Sequence, residues 1–123
     1  MRAIHGTGNR TTEIALASGL RANGLTGWRR HQPVFGRPDF IFRAQMLAVF
    51  VDGCFWHGCP RCYQPPASNR KFWSAKYKRN KARDRLVARA LRQNGWRVVR
   101  IWEHELQKRP AAVMARLRKT LEL

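Results

Sequence analysis

The chain has 123 residues, the usual length of one compact unit, so we predict a single domain over residues 1–123. Lys and Arg total 25 against 7 Asp and Glu, and the formal net charge of +18 exceeds what solubility requires in so short a chain. A hydrophobic content of 44% with five tryptophans argues against disorder. No apolar stretch approaches the roughly 18 residues of a membrane span, so the charge favours nucleic acid over membrane lipid as the partner.

Hydrophobic periodicity and capping residues divide the chain into alternating helices and strands. Thr11 or Thr12 can cap the first helix, which places Glu13 in its first turn. Residues 46–51 are apolar throughout, which is typical of a central strand covered on both faces. The predicted elements, in chain order, are a helix over 11–23, strands over 28–35, 39–42 and 46–51, a helix over 71–93, a strand over 96–102 and a helix over 110–121.

The predicted order is therefore α-β-β-β-α-β-α, an α/β fold with a mixed central sheet flanked by helices. One long helix separates strands 46–51 and 97–101, which indicates a right-handed crossover between parallel neighbours. The carboxyl ends of two such strands lie at the same edge of the sheet. We therefore expect His104, two residues past the later strand, to lie beside the segment that carries Cys54.

Cys54, Cys59 and Cys62 fall within nine positions, and an odd, tight cluster argues against disulfides. With one histidine they form a Cys3His set, which suits a closed, structural, tetrahedral Zn²⁺ site. The sequence offers both His104 and His57 as the fourth ligand, and the crossover favours His104.

Two aspartates occur at the ends of neighbouring predicted strands. Asp39 opens one strand directly after Pro38, and Asp52 closes the central one. Oxygen ligands at adjacent strand ends suit a Mg²⁺ ion that holds a phosphate and activates water, and His57 follows closely as a proton-transfer group. Asp39 taken alone fits a strand-capping aspartate equally well, so the prediction depends on the whole constellation.

Several aromatic side chains adjoin these acids. Phe55 and Trp56 precede His57 directly, and Trp73 opens the long helix. Exposed there, the rings could enter a base stack at a mismatched step, where the unstacking cost is reduced. Packing in the core is the alternative for each of them.

Asp84 lies on the long helix four positions from Asn80 and shares a face with Trp73 and Tyr77. The side chains of this polar and aromatic stripe could face the predicted site around Asp39 and Asp52. An ordinary helical ion pair with the flanking Arg83 or Arg85 is the alternative for Asp84.

The segment 51–60 reads Val-Asp-Gly-Cys-Phe-Trp-His-Gly-Cys-Pro, and further short motifs accompany it in order along nearly the whole chain. They are Met1-Arg2-Ala3-Ile4, Glu13, Gly36-Arg37-Pro38-Asp39, Phe72-Trp73, Asn80, Arg83-Asp84-Arg85, Gly95-Trp96-Arg97-Val98 and Trp102-Glu103. This series resembles the very short patch repair (Vsr) endonucleases. The Gly-Cys-Phe-Trp-His segment is its specific part, whereas Arg-Pro-Asp alone is weak.

The resemblance implies a restriction-endonuclease-like (PD-(D/E)XK-type) core with a structural zinc. It also implies a Mg²⁺-dependent enzyme that nicks one strand 5′ to the thymine of a T:G mismatch. By this resemblance Asp39 binds magnesium, with the Val51 carbonyl and Asp52 as further expected ligands. His57 acts as general acid or base, and Glu13 and Asp84 support the active site.

The resemblance further implies that Phe55, Trp56 and Trp73 wedge into DNA near the mismatch. The other expected DNA contacts are Met1, Asn80, Lys76, Lys78 and Arg79, with the basic helix 71–93 on the phosphates. The chain departs from the family pattern at two ligand positions. Asp52 stands where some members carry histidine, and His104 where a cysteine is often found.

The leading hypothesis is a mismatch-repair endonuclease, cytoplasmic and associated with the bacterial nucleoid, that acts as a monomer on mismatched duplex DNA. Mismatch-repair proteins are expected as further partners and a membrane is not. Two rivals share the charge and the zinc. One is a zinc-containing module that binds distorted DNA without cutting it, for which Asp39, Asp52 and His57 would have no purpose. The other is a related nuclease with a different DNA substrate.

Overall fold

A computed structural model describes the backbone of residues 2–52 and 70–122, and the side chains of residues 11–52, 71, 72 and 74–122. Within these ranges a four-stranded sheet is flanked by helices. The helices are α1 (Arg2–Ala22), α2 (Arg70–Gln93), α3 (Glu103–Lys108) and α4 (Pro110–Leu121), and the strands are β1 (Trp28–Arg30), β2 (Phe40–Phe42), β3 (Leu47–Asp52) and β4 (Arg97–Trp102).

The sheet is mixed and its strands follow the chain, in the order β1-β2-β3-β4. β2 runs antiparallel to both β1 and β3, whereas β3 and β4 are parallel, with Asp52 opposite Trp102. The predicted crossover between parallel neighbours is therefore confirmed. β3 lies inside the sheet and all six of its residues are buried, as its apolar sequence predicts.

Apolar side chains pack on both faces of this sheet because successive residues of a strand point to opposite sides. On one face the strands pack against α1, α3 and α4, with Leu16, Leu20, Phe40, Val49, Ile101 and Leu117 in the core. On the other face α2 supplies Val87 and Leu91, which cover Ala48 and Phe50. α2 thus covers the face to which Asp52, Arg100 and Trp102 also belong by strand alternation.

The first helix is longer than predicted. It begins at Arg2, so Glu13 lies in its middle and not in its first turn, and Thr12 and Glu13 are both buried. Gly6 and Gly8 lower the intrinsic helix propensity of the early residues, and the two threonines then resemble a cap.

β1 is shorter than predicted and ends at Arg30. His31 has a φ of 53°, in the left-handed region, which turns the chain out of the strand.

The predicted element order was wrong at one position. A six-residue helix, α3, separates β4 from α4, so the described elements read α-β-β-β-α-β-α-α. The Glu105 side chain accepts a hydrogen bond from the backbone N–H of Trp102 (3.0 Å), which caps this helix. Six residues are too few to give a helical periodicity in the sequence. No described helix is both long enough and apolar enough to cross a membrane.

Candidate catalytic site

One edge of the sheet collects the ends of all four strands. Since β1, β3 and β4 run in one direction and β2 in the other, the carboxyl ends of three strands meet the amino end of β2 there. The topology therefore brings His31, Asp39 and Asp52 to the same edge. The predicted placement of Asp39 and Asp52 at adjacent strand ends is confirmed.

Asp39 is attached to the neighbouring strand through its side chain. Its Oδ2 accepts a hydrogen bond from the backbone N–H of Val51 at 2.7 Å. The N–H and C=O of one strand residue point to the same side, so the Val51 carbonyl also faces the Asp39 side of β3. A carboxylate and a backbone carbonyl are thus fixed next to one another by β3.

The turn before Asp39 is held by the neighbouring helix. Gly36 has a φ of 81°, and a Cβ built on it would lie 2.4 Å from Cγ1 of Val87 on α2. Arg37 has a φ of 52°, and Pro38 is fully buried. The backbone leading to Asp39 therefore has little freedom to move, which suits a group that must hold a ligand in one place.

Asp39 is half-buried between two other carboxylates. Burial raises the pKa of its carboxyl group from an ordinary 3.8 to about 7. The hydrogen bond from Val51 opposes the rise, whereas the charges of Glu13 and Asp52 add to it. Asp39 and Glu13 also hydrogen-bond to each other, which requires a proton on one of them. A cation bound here would relieve this repulsion.

Glu13 is buried and makes close contacts to two basic side chains from the end of β1. Oε1 of Glu13 lies 2.9 Å from Nη2 of Arg30 and 2.8 Å from Nε2 of His31. The prediction that Glu13 supports the Asp39 site is consistent with this geometry. The sequence reasoning missed Arg30 and His31, which lie 17 and 18 positions away and are brought close only by the pairing of β1 with β2.

Asp52 is buried and pairs with Arg100 on the adjacent strand. Nη1 of Arg100 lies 2.7 Å from Oδ2 of Asp52, and its Nη2 lies 3.5 Å from Oδ1 of Asp84 on α2. The guanidinium also stacks over the ring of Phe50, with 4.4 Å between its carbon and the ring centroid. Asp84 thus faces the sheet, as the predicted stripe on α2 requires, and the sequence reasoning missed Arg100.

Neither proposed metal site is described in full. Cys54, Cys59, Cys62 and His57 lie outside the described residues, and within the described ranges no three or more Cys, His, Asp or Glu side chains form a group that could hold an ion. His104 is half-buried in α3, at the predicted edge of the sheet. For magnesium, the described donors that fit are the Asp39 carboxylate and the Val51 carbonyl.

A basic groove of about 620 Å³ runs between α2 and β4. Lys81, Arg85, Arg89 and Arg92 form one row along α2, which spans about 16 Å. Trp102 lies opposite, with Nζ of Lys81 5.5 Å from the centroid of its ring. This surface fits a chain of phosphates.

The predicted DNA contacts lie mostly near the start of α2 or outside the described part of the chain. Lys78 and Arg79 are exposed, whereas Lys76 and Asn80 are half-buried. Met1, Phe55 and Trp56 and the side chain of Trp73 lie outside the described residues. The sequence reasoning did not single out the row that begins at Lys81.

Residues 1–64 match the family model of the DNA mismatch endonuclease Vsr. The chain belongs to the DNA mismatch endonuclease Vsr family. The resemblance found in the sequence is therefore confirmed, and the four-stranded sheet flanked by helices is compatible with the fold of this family. The family is one of DNA endonucleases.

Individual relatives agree with this assignment. The DNA mismatch endonuclease Vsr of Escherichia coli (strain K12) is 37% identical over 99% of this chain and 78% of its own length. The Type II nicking enzyme V.XorIIP of Xanthomonas oryzae pv. oryzae is 40% identical over 93% of this chain and 84% of its own. V.NaeI of Lentzea aerocolonigenes, also a Type II nicking enzyme, is 52% identical, but the match covers 63% of this chain and 48% of that enzyme.

Proposed function

We propose that the protein is a Mg²⁺-dependent endonuclease that nicks one strand of duplex DNA 5′ to the thymine of a T:G mismatch. The observation that supports this most directly is Asp39. Its carboxyl group sits among other acids at the sheet edge with a pKa raised to about 7, in a member of an endonuclease family. Perturbed carboxyl groups of this kind are typical of functional sites.

Asp39 and the Val51 carbonyl would hold the magnesium ion. When bound, the ion supplies Lewis-acid stabilisation of the negative charge on the phosphate. Glu13, which Arg30 and His31 hold in place, would keep a second carboxyl group beside Asp39, whose negative charge favours a cation at this site. The net reaction is hydrolysis of one phosphodiester bond, in which His57 transfers a proton between water and the leaving oxygen.

We further propose a structural zinc bound by Cys54, Cys59, Cys62 and His104. Of these four residues, His104 is the one that lies within the described ranges. It follows the carboxyl end of β4, and β4 is the parallel neighbour of β3, the strand that precedes Cys54 in the sequence. Three thiolates and an imidazole give a closed tetrahedral set. Such a site would brace the segment that carries Phe55, Trp56 and His57.

The net charge and α2 support the DNA substrate. α2 presents a row of cations toward the groove, and Lys78 and Arg79 are further exposed cations on this helix. Phosphate contacts of this kind position a duplex without reading its sequence. In this proposal Phe55, Trp56 and Trp73 insert into the base stack and so discriminate a mismatched from a matched duplex.

A second candidate keeps the nuclease and changes its target. V.NaeI and V.XorIIP are named as nicking enzymes without reference to a T:G mismatch, so another DNA substrate is compatible with the same fold. A binding module without activity is disfavoured, because the relatives are named as endonucleases or nicking enzymes and a binder has no use for a carboxyl group with the raised pKa of Asp39.

The deciding experiment uses a duplex with a T:G pair, labelled separately on each strand, and its matched counterpart. Incubation with Mg²⁺ should nick the thymine strand of the mismatched duplex alone. Asp39→Asn, which keeps the shape of the side chain but removes its charge, should abolish nicking and leave duplex binding within about threefold. Equal cutting of both duplexes would favour the second candidate, and tight binding without any nicking would contradict both.

A further inference from the structure

We infer that Arg100 is a positioning residue: it occupies the Asp52 carboxylate and ties Asp84 to the sheet, so that Asp52 acts through this ion pair and is not a magnesium ligand. The inference rests on the proposed function, since it assigns roles within the proposed magnesium site. It also gives Asp52 a role other than the magnesium ligation expected from the sequence, namely the ion pair with Arg100.

Arg100 contacts a different carboxylate with each of its two terminal nitrogens. Nη1 lies 2.7 Å from Oδ2 of Asp52 on β3, and Nη2 lies 3.5 Å from Oδ1 of Asp84 on α2. The planar, five-donor guanidinium can serve two carboxylates at once, which a lysine ammonium on its flexible stem does less well. One side chain thereby joins two strands and a helix at the carboxyl end of the sheet.

Asp52 is buried, whereas Arg100 and Asp84 are partly buried and line the groove between α2 and β4. The side chain of Arg100 is 21% exposed, that of Asp84 17% and that of Asp52 4%. The face of the Phe50 ring lies 4.4 Å below the guanidinium and keeps it in this plane. Because Asp52 is buried, its ion pair with Arg100 is screened less by salt than an exposed pair, and loss of Arg100 would leave a buried charge uncompensated.

The charges around Asp39 follow a simple pattern. Asp39 is flanked by two acids, and each of these faces its own arginine: Glu13 faces Arg30 at 2.9 Å, and Asp52 faces Arg100 at 2.7 Å. Asp39 has two described hydrogen bonds. It accepts one from the uncharged backbone N–H of Val51 and shares the other with Glu13. This leaves Asp39 as the carboxylate whose charge is best placed to attract a cation.

Magnesium binding without DNA separates this role from that of a ligand. Calorimetric titration with MgCl₂ at pH 8 should show that the charge-balanced double variant Arg100→Gln/Asp52→Asn changes the Mg²⁺ Kd by less than about threefold, whereas Asp39→Asn weakens it beyond detection. Arg100→Gln leaves Asp52 uncompensated near Asp39, so its Mg²⁺ binding should be unchanged or tighter. Weakening of threefold or more in the double variant or in Arg100→Gln would overturn the inference.

Kinetics on the mismatched duplex give a second readout. Arg100→Gln should lower kcat at least tenfold at saturating Mg²⁺ and change KM less than threefold, because Asp84 and Asp52 lose their alignment while the phosphate contacts remain. Arg100→Lys should recover part of kcat. The double variant Arg100→Gln/Asp52→Asn should be no slower than Arg100→Gln alone, and additive losses would contradict a shared role.

Folding is checked on the same proteins by circular dichroism and urea unfolding. If Arg100→Gln is too unstable to assay, Arg100→Gln/Asp52→Asn removes both charges and should regain stability, and failure to do so would contradict the pair. Arg43→Gln, an exposed arginine in the turn Arg43–Gln45 at the opposite edge of the sheet, controls for the loss of one positive charge. If the wild type cuts no duplex, the proposed function is contradicted, but the inference about Arg100 can still be tested because the Mg²⁺ titrations need no DNA.

Discussion

The backbone N–H of Val51 donates a hydrogen bond of 2.7 Å to Oδ2 of Asp39, which attaches the carboxylate that opens β2 to the end of β3. This hydrogen bond fixes the orientation of the Asp39 carboxyl group relative to β3. Since the Val51 carbonyl faces the same side of its strand, the pair can act as two donors held by regular backbone. Four expectations follow from this edge of the sheet and its surroundings.

The contribution of Asp39 to the stability of the metal-free protein should decrease as the pH rises from about 4 to about 7. The pKa of Asp39 is about 7 in the folded protein against an ordinary 3.8, so the folded state holds the proton more tightly than the unfolded state. Stability from this group is therefore largest below pH 4 and is lost as the pH rises toward 7.

Urea unfolding in the presence of EDTA, at several pH values between 4 and 8, measures this dependence. Asp39→Asn should be less sensitive to pH and more stable than the wild type at pH 8. Parallel pH profiles for the two proteins would show that Asp39 titrates normally.

Gly36→Ala should destabilise the protein more than Gly24→Ala. Both glycines have a positive φ, so each alanine costs about 1 kcal/mol in backbone strain. A methyl group at Gly36 would in addition lie 2.4 Å from Val87, whereas nothing lies within 4 Å at Gly24. The clash adds about 1–3 kcal/mol, which thermal unfolding can resolve.

Val87→Ala tests this explanation, since the smaller side chain makes room for the new methyl group. The combination Gly36→Ala/Val87→Ala should be more stable than the sum of the two single losses predicts. Equal effects of alanine at positions 36 and 24 would contradict the close packing of the Asp39 turn on α2.

Neutralising Lys81, Arg85 and Arg89 to glutamine should weaken binding to mismatched and matched duplexes by the same factor. Each phosphate contact that is lost lowers the dependence of log K on log salt concentration by about 0.9. Fluorescence anisotropy between 50 and 200 mM salt, about the range in which such contacts matter, gives this slope.

The matched control removes three exposed cations, Lys108, Arg109 and Lys119, from the helices on the opposite face of the sheet. It carries the same loss of charge and should keep the wild-type slope. A groove variant that behaves like this control would show that DNA does not follow α2.

Protein purified without chelator should contain about one zinc per chain by elemental analysis. His104→Cys should retain the zinc, since a fourth thiolate completes the same tetrahedral site, whereas His104→Ala should lose most of it. Full zinc in His104→Ala would point to His57 as the fourth ligand, and no zinc in the wild type would contradict the site.

The central part of the fold could be predicted because its signals are local. Residues 47–51 are apolar without interruption, and Gly95, with a φ of 90°, ends α2 where the sequence places the stop. Pro110 opens α4 at the predicted residue. These local signals place β3, α2 and β4 in the sequence and so predict the crossover, which brings Asp52 and the carboxyl end of β4 to the same edge of the sheet.

The contacts of the site could not be predicted, because they depend on strand register. Arg30 and His31 meet Glu13 only once β1 has paired with β2 and α1 has packed on the sheet. Arg100 carried a usable signal: it is a single charge within the apolar run 98–102, and such a charge on a buried strand calls for an acid on the neighbouring one. The parallel pairing predicted for these strands would have offered Asp52.

Four of the seven acidic residues, Glu13, Asp39, Asp52 and Asp84, lie at the catalytic edge, while 25 Lys and Arg dominate the chain. Arg30 and Arg100 offset part of this negative charge, and the remainder would repel a duplex at the place of the proposed cut. The divalent ion proposed beside Asp39 would reduce that local negative potential. If the proposed ion binds there, DNA and magnesium should bind with positive cooperativity, each raising the affinity of the other by the same factor.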